Sequence, residues 1–177
     1  MGLFHRRDAP PVAALARLDS EERLLAWADT ADGKVVLATS RGLWWPEGDG
    51  RRLIGWQHIS KAVWRDRVLA VIEADVVEET LMIDRPAVRA ELSVPRNLPP
   101  TVRARVEANI VRSEVAAVAG GAARFVARKV PGEDGLQWWA RLDPGTPDTA
   151  QVRSAISARL AILRAEFERE QQAAQLW

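Results

Sequence analysis

The chain has 177 residues, and its 25 Lys and Arg against 24 Asp and Glu give a formal net charge of +1. It contains no Cys, which excludes disulfides, thiolate zinc sites and cysteine nucleophiles. The balanced charge gives no global attraction to nucleic acid or anionic lipid.

Residues 1–18 are expected to form an N-terminal arm, with a short helical turn over 12–18. Charged His5–Asp8 is followed by Pro10 and Pro11 and not by an apolar run, so the arm does not resemble a secretory signal. The longest apolar runs hold about five residues, whereas a membrane-spanning helix needs roughly 20. We therefore expect a cytoplasmic protein without a transmembrane segment, while peripheral contact with a membrane stays open.

Residues 19–119 are predicted to form a β-rich unit with a capping helix. Asp32-Gly33 is a strong hairpin signal, because Gly supplies the positive φ that tight turns need. Short strands separated by such turns are typical of an antiparallel β-barrel or sandwich, here of about seven strands within an α+β fold. The strand candidates are residues 23–30, 34–39, 43–45, 51–56, 58–64, 67–74, 79–83 and 87–92.

The pattern changes to a helical one after Pro95–Pro100. Val102, Val106 and Ile110 lie at helical spacing, and prolines suit the start of a helix. Gly120-Gly121 suits its end, since Gly tolerates the left-handed conformation there. The sequence therefore predicts a helix over 99–119.

Residues 120–177 are predicted to form an extension, a β-hairpin and a long C-terminal helix, packed on the same domain. The hairpin strands are expected at 122–130 and 136–142. Thr146-Pro147-Asp148 resembles an N-cap followed by a helix start, so the helix is expected over 147–172.

The C-terminal helix carries the strongest periodic signal in the chain. Its apolar stripe consists of Val152, Ile156, Leu160, Leu163 and Phe167. The short connection before the helix predicts that the part through Leu163 folds back on its own domain. The distal part, from Phe167 to Trp177, is expected to project and to contact a partner or a second copy of the chain, as in a homodimer.

Eight tryptophans give further candidates. Trp27, Trp56 and Trp64 lie within predicted strands and are expected in the core. Adjacent strand residues point to opposite faces, so one member of each adjacent pair is either an exposed binding anchor or covered by a second layer such as the C-terminal helix. These pairs are Trp44 with Trp45 and Trp138 with Trp139.

The basic segment, residues 96–129, holds seven Lys and Arg. Arg105 and Arg112 are one heptad apart on the predicted helix, and Arg124 and Arg128 share a strand face. The segment is either a solvated basic face or a site for an anionic ligand, a lipid headgroup or nucleic acid.

Residues for catalysis or for metal binding are scarce. The two histidines are His5 and His58, and a Ser-His-Asp arrangement lacks its G-x-S-x-G elbow. One usable His among scattered carboxylates is not a metal-ligand cluster. Neither a P-loop nor a G-x-G-x-x-G motif occurs. We therefore expect no catalytic activity, no metal and no cofactor.

Residues 19–119 resemble bacterial members of the pleckstrin-homology-like (PH-like) superfamily. The resemblance is carried by Val36–Trp45, by Gly55–Ile59 after a loop, and by Val68–Val71. It implies a β-barrel with a capping helix that acts as an adaptor for lipids, peptides or protein surfaces. The expected function is thus a non-catalytic binding or scaffolding module for a protein or peptide partner, with the anionic-ligand function as the alternative.

Overall fold

The computed structural model of the chain describes residues 9–16 and 18–175. These residues form an α+β fold, as predicted, with an 11-stranded, mostly antiparallel sheet and a long C-terminal helix. The strands are β1 Leu24–Thr30, β2 Val35–Thr39, β3 Gly42–Glu47, β4 Gly50–Gly55, β5 Ile59–Arg65, β6 Val68–Glu78, β7 Leu81–Asp84, β8 Val88–Val94, β9 Ile110–Val118, β10 Gly121–Arg128 and β11 Gln137–Leu142. The helices are α1 Val12–Leu15, α2 Leu98–Asn109 and α3 Ala150–Ala174, and a 3₁₀ turn spans Trp56–His58. Within the described ranges, none of the helices is both long and apolar enough to cross a membrane.

The sheet runs in the order β4-β3-β2-β1-β8-β6-β7-β11-β10-β9, and β5 pairs with β6 beside this path. Every pairing is antiparallel except the parallel one between β7 and β11. Of the two predicted architectures, barrel or sandwich, the closed barrel is wrong, because β4 and β5 are not paired in the described part of the chain. The 3₁₀ turn connects these two strands.

Strand β6 belongs to both halves of the sheet. Its first residues, Val68–Val71, pair with β8 on one side and with β5 on the other. Its later residues, from Ala74 to Glu78, pair with β7. We call β7, β11, β10 and β9 the C-terminal sheet, and β6 joins it to the earlier strands.

Two tight turns between neighbouring strands contain residues with positive φ angles. Gly33, in the predicted Asp-Gly hairpin between β1 and β2, has a φ of +76°, which confirms that prediction. Asp66 and Arg67 connect β5 to β6 and have φ values of 49° and 65°. Two successive positive φ angles are those of a type I′ turn, whose twist matches a two-residue hairpin.

The predicted helix over 99–119 is wrong in its second half. Helix α2 ends at Asn109, and Ile110–Val118 forms β9, which pairs with β10. The apolar residues here fit both a helical spacing and a two-residue alternation. Half-buried and exposed residues alternate along β9, and its β-branched residues suit a strand. Pairing with β10, which begins only three residues after the end of β9, therefore decides the outcome.

Helix α2 caps the core of the first half. Leu98 and Val102 are buried against residues from β1, β2, β3, β4, β5, β6 and β8. Trp45 and Trp56 belong to the same cluster. This arrangement agrees with the predicted capping role.

Helix α3 lies on the C-terminal sheet, and the predicted fold-back through Leu163 is confirmed. Val152, Ile156, Leu160 and Leu163 are buried against the sheet. Phe167 was expected to project, but it packs on this cluster. The exposed end of the helix begins only at residue 168.

The start of α3 also differs from the prediction. The helix begins at Ala150, and the hydroxyl of Thr149 accepts a hydrogen bond from the Val152 N–H at 3.2 Å. Thr146, the predicted N-cap, instead exchanges hydrogen bonds with the backbone of Ala122. Because its hydroxyl is bonded to the first residues of β10, Thr146 does not cap the helix.

Candidate functional site

The adjacent tryptophan pairs are covered. Trp45, Trp138 and Trp139 are each less than one-tenth exposed. Trp44 is half-buried, and its indole N–H donates to the Glu22 carboxylate at 2.9 Å. Trp138 packs under α3, whereas Trp139 lies on the opposite face, 6.3 Å from His58 between ring centroids. Of the two alternatives, exposed binding anchors or tryptophans covered by a second layer, the structure therefore agrees with the second.

The distal part of the C-terminal helix contributes little free apolar surface. Phe167 meets Trp138 edge to face, with ring centroids 5.8 Å apart. Trp177, the other predicted contact residue, lies outside the described residues.

The basic segment is divided among three places. Arg112 pairs with Glu170 of α3, with 3.1 Å between nitrogen and oxygen, and lies 3.8 Å from Glu166. Arg105 lines a separate hollow beside Lys129. Arg124 and Arg128 line a cavity on the side of the C-terminal sheet away from α3. The structure thus brings together two of the four predicted arginines.

A groove between β5 and α2 is lined mainly by apolar residues. Its volume is about 660 Å³, and nine of its twelve lining residues are apolar. Trp64, predicted in the core, is 39% exposed here, and Val63 is 42% exposed. Leu69 and Val102 form the buried floor. Exposed apolar surface in one place is typical of an interaction site.

One wall of the groove is a free sheet edge. Among the described strands, β5 pairs with β6 alone. Arg65 and Val68 flank the two-residue turn, so their backbone groups form a hydrogen-bonded pair. Along an antiparallel ladder, hydrogen-bonded pairs alternate with non-hydrogen-bonded pairs, whose N–H groups point away from the partner strand. The backbone N–H groups of Ala62 and Trp64 therefore point away from β6, toward the open edge.

The other wall is the exposed side of α2. Arg103 donates to Glu107 one turn later, at 2.8 Å. The hydrogen bond to Glu107 and then its charge raise the pKa of Arg103 above the usual value. With Pro99 and Pro100 at the helix start, this wall combines rigid backbone with a charged rim.

Two further polar side chains, His58 and Glu73, contact neighbouring residues of the fold. His58 is half-buried in the 3₁₀ turn, beside Trp139. Glu73 forms an ion pair with Arg52 at 2.6 Å. In the described ranges, no three His, Asp or Glu side chains come together as a metal-binding group.

The groove is not evident from the sequence, because a tryptophan within a predicted strand, such as Trp64, is expected in the core. One available signal was the charged stretch Arg65–Arg67, which marks the end of a strand and therefore a position near the sheet rim. The prolines before α2 were interpreted only as a helix start. Their packing across from β5 depends on the tertiary fold.

Comparison with protein-family models, with curated proteins and with solved structures gives no significant match.

Proposed function

We propose that this chain is a non-catalytic interaction module that binds an extended segment of a partner protein in the β5–α2 groove. The observation that carries the proposal is the unpaired edge of β5 beside exposed Trp64. An extended segment can add to such an edge as a further strand, through main-chain hydrogen bonds. Exposed edges are usually blocked or covered in proteins, so a free one next to an apolar groove favours binding.

The groove also supports a particular partner chemistry. A strand added to β5 would meet the N–H groups of Ala62 and Trp64, and its alternate side chains would enter the apolar groove. Arg65 is exposed on β5. The proposed partner segment therefore alternates apolar residues and carries acidic residues near them.

The PH-like arrangement of residues 19–119 belongs to this proposal. It is supported by the order of elements: four consecutive antiparallel strands, then β5, β6 and β8, then a helix packed on their common core. β7 and β9 are additions to that plan. An adaptor role agrees with such an arrangement.

The anionic-ligand alternative for the whole segment 96–129 has weaker support. Glu166 and Glu170 neutralise Arg112, and Arg105 lies in a different hollow. Nucleic-acid binding and a homodimer through the exposed end of α3 stay predictions.

Selection from a phage-displayed library of random peptides tests the proposed function. Peptides enriched on the wild-type protein should share alternating apolar residues. Trp64→Ala should weaken their binding by about tenfold or more, as loss of a tryptophan anchor does. Bound peptide should also slow amide hydrogen exchange at Ala62 and Trp64.

A matched pair of valines supplies the control. Val63 and Val76 are both 42% exposed, but only Val63 lines the groove. Val63→Asn should reduce peptide binding and Val76→Asn should not. Failure to enrich any peptide, or equal loss in both variants, would contradict the proposal.

A further inference from the structure

A second hollow lies between the C-terminal sheet and the start of β5. It is a cavity of about 370 Å³. One wall is the face of β10 and β11 opposite to α3, and the facing wall is formed by the 3₁₀ turn, β5 and β6. This cavity is separate from the β5–α2 groove, since the two share no lining residue.

Arg128 is a buried cation in this cavity. It is 4% exposed, and one terminal nitrogen donates to the Ile59 carbonyl at 3.0 Å, the Asn109 side-chain oxygen at 3.3 Å and the Trp56 carbonyl at 3.4 Å. These acceptors are neutral. Its Nε is also buried and has no hydrogen-bond partner among the described residues.

The environment disfavours the charge on Arg128. Burial first, and the neighbouring charge of Arg141 second, lower the pKa of Arg128 from its ordinary value to about 10, although the Asp84 carboxylate acts in the opposite direction. A buried charge is costly unless it is paired. The fold therefore keeps a buried cation whose hydrogen-bond acceptors among the described residues are all neutral.

Further cations face Arg128. Arg124 and Arg141 are directly opposite each other on neighbouring strands, on the same face of the sheet. Like charges in that position destabilise a strand pair. Lys61 also lines the cavity, and the one lining carboxylate is Asp84, 3.4 Å from Arg141. Four cations thus stand against one carboxylate among the lining residues.

We propose that this cavity binds the phosphate group of a small ligand. Arginine guanidinium groups match phosphate oxygens in geometry and in charge. A bound dianion would supply counter-charge to Arg124 and Arg128, for which the described residues provide no carboxylate partner, and would add to that of Asp84 on Arg141. Ile72, Met82 and Val126 also line the cavity and offer an apolar wall to an organic part of the ligand. The volume is within the range of small-molecule sites.

The phosphate can belong to a soluble molecule or to a lipid headgroup, and the test separates the two. Calorimetric titration with inorganic pyrophosphate in low-salt buffer examines the soluble source. Sedimentation with phosphatidylcholine vesicles, with and without phosphatidic acid, examines the headgroup. NMR of the Arg128 Nε–H reports whether either ligand reaches the cavity.

The expected result is saturable binding with a shift of the Arg128 resonance. Arg124→Gln should weaken binding by about tenfold or more, the loss expected for a hydrogen bond to a charged group. Arg124→Lys should retain part of the binding. Arg164→Gln, which removes an exposed arginine of α3, should leave it unchanged.

Two results support the site and assign its source. Pyrophosphate binding without retention on phosphatidic acid assigns a soluble ligand, and vesicle binding that pyrophosphate displaces assigns a headgroup. The inference is overturned if no probe binds saturably, or if binding survives Arg124→Gln unchanged. Should Arg124→Gln not fold, Arg141→Gln and the Arg128 resonance decide in the same way.

Discussion

The two faces of β10 and β11 have opposite chemistry although they belong to the same strands. The face toward α3 carries Phe125, Ala127, Trp138 and Ala140, all buried in one apolar cluster. The opposite face carries the three arginines of the cavity beside the apolar residues Val126 and Trp139.

This contrast shows how a small sheet can provide stability and a site together. Successive side chains point to opposite faces, so each strand serves both. The apolar face fixes the strands against α3, and the arginines then lie on a rigid support. A site on rigid elements holds its geometry better than one on loops. The charge on one face is tolerated because burial on the other offsets its cost.

The largest effect is expected from breaking the apolar face. Ile156→Ala should lower the free energy of unfolding by about 2–5 kcal/mol, because it leaves a cavity under α3. Ile162 lies on the same helix but is 49% exposed, so Ile162→Ala should change stability by less than about 0.5 kcal/mol. Urea denaturation of the two variants checks the difference. Equal losses would mean that α3 is not packed through the Ile156 face.

An intermediate loss of stability is expected when α3 is shortened to the end of its apolar face. A chain truncated after Arg164 should still fold, because it keeps Val152–Leu163. It should be less stable than a chain truncated after Phe167 by at least about 0.5–1.5 kcal/mol, the value of an aromatic pair beyond its area burial. Thermal unfolding of both truncations measures this. If the shorter chain does not fold and the longer one does, residues 165–167 contribute more than their contacts indicate.

The smallest effect is expected on the cavity face, where removing an arginine should stabilise the protein. Without ligand, Arg124→Gln should raise the free energy of unfolding by about 0.2–1 kcal/mol, because it removes one of two like charges facing each other. The gain should shrink as salt screens the pair. Denaturation at two salt concentrations, with Arg164→Gln as control, checks both points. A destabilised Arg124→Gln would show that the arginine packs the cavity.

Elements with local signals could be predicted from the sequence. The hairpin β10–β11 and the buried stripe of α3 follow from alternation, turn residues and helical spacing. The residues of Ile110–Val118 do not by themselves decide between helix and strand, because their apolar positions fit both a helical spacing and a two-residue alternation. Pairing with β10 decides for the strand.

The candidate sites depended more on tertiary contacts. Arg124 and Arg128 could be placed on one strand face from their spacing. Arg141 and Lys61 join them in one cavity only because β10 pairs with β11 and because the start of β5 lies across the cavity. Arg112 appeared equivalent to them, but Glu166 and Glu170 of a distant helix neutralise it.

The continuity of β6 has a consequence for ligand exchange. Its hydrogen bonds to β5 and to β7 fix the distance between the two walls of the cavity, since one unbroken strand is paired with both. A hinge that opens the cavity would have to bend this strand between Glu73, which pairs with β5, and Ala74, which pairs with β7. If β6 keeps its shape, a ligand enters and leaves through the existing mouth, and its association rate follows diffusion and electrostatic steering and not a slow conformational step.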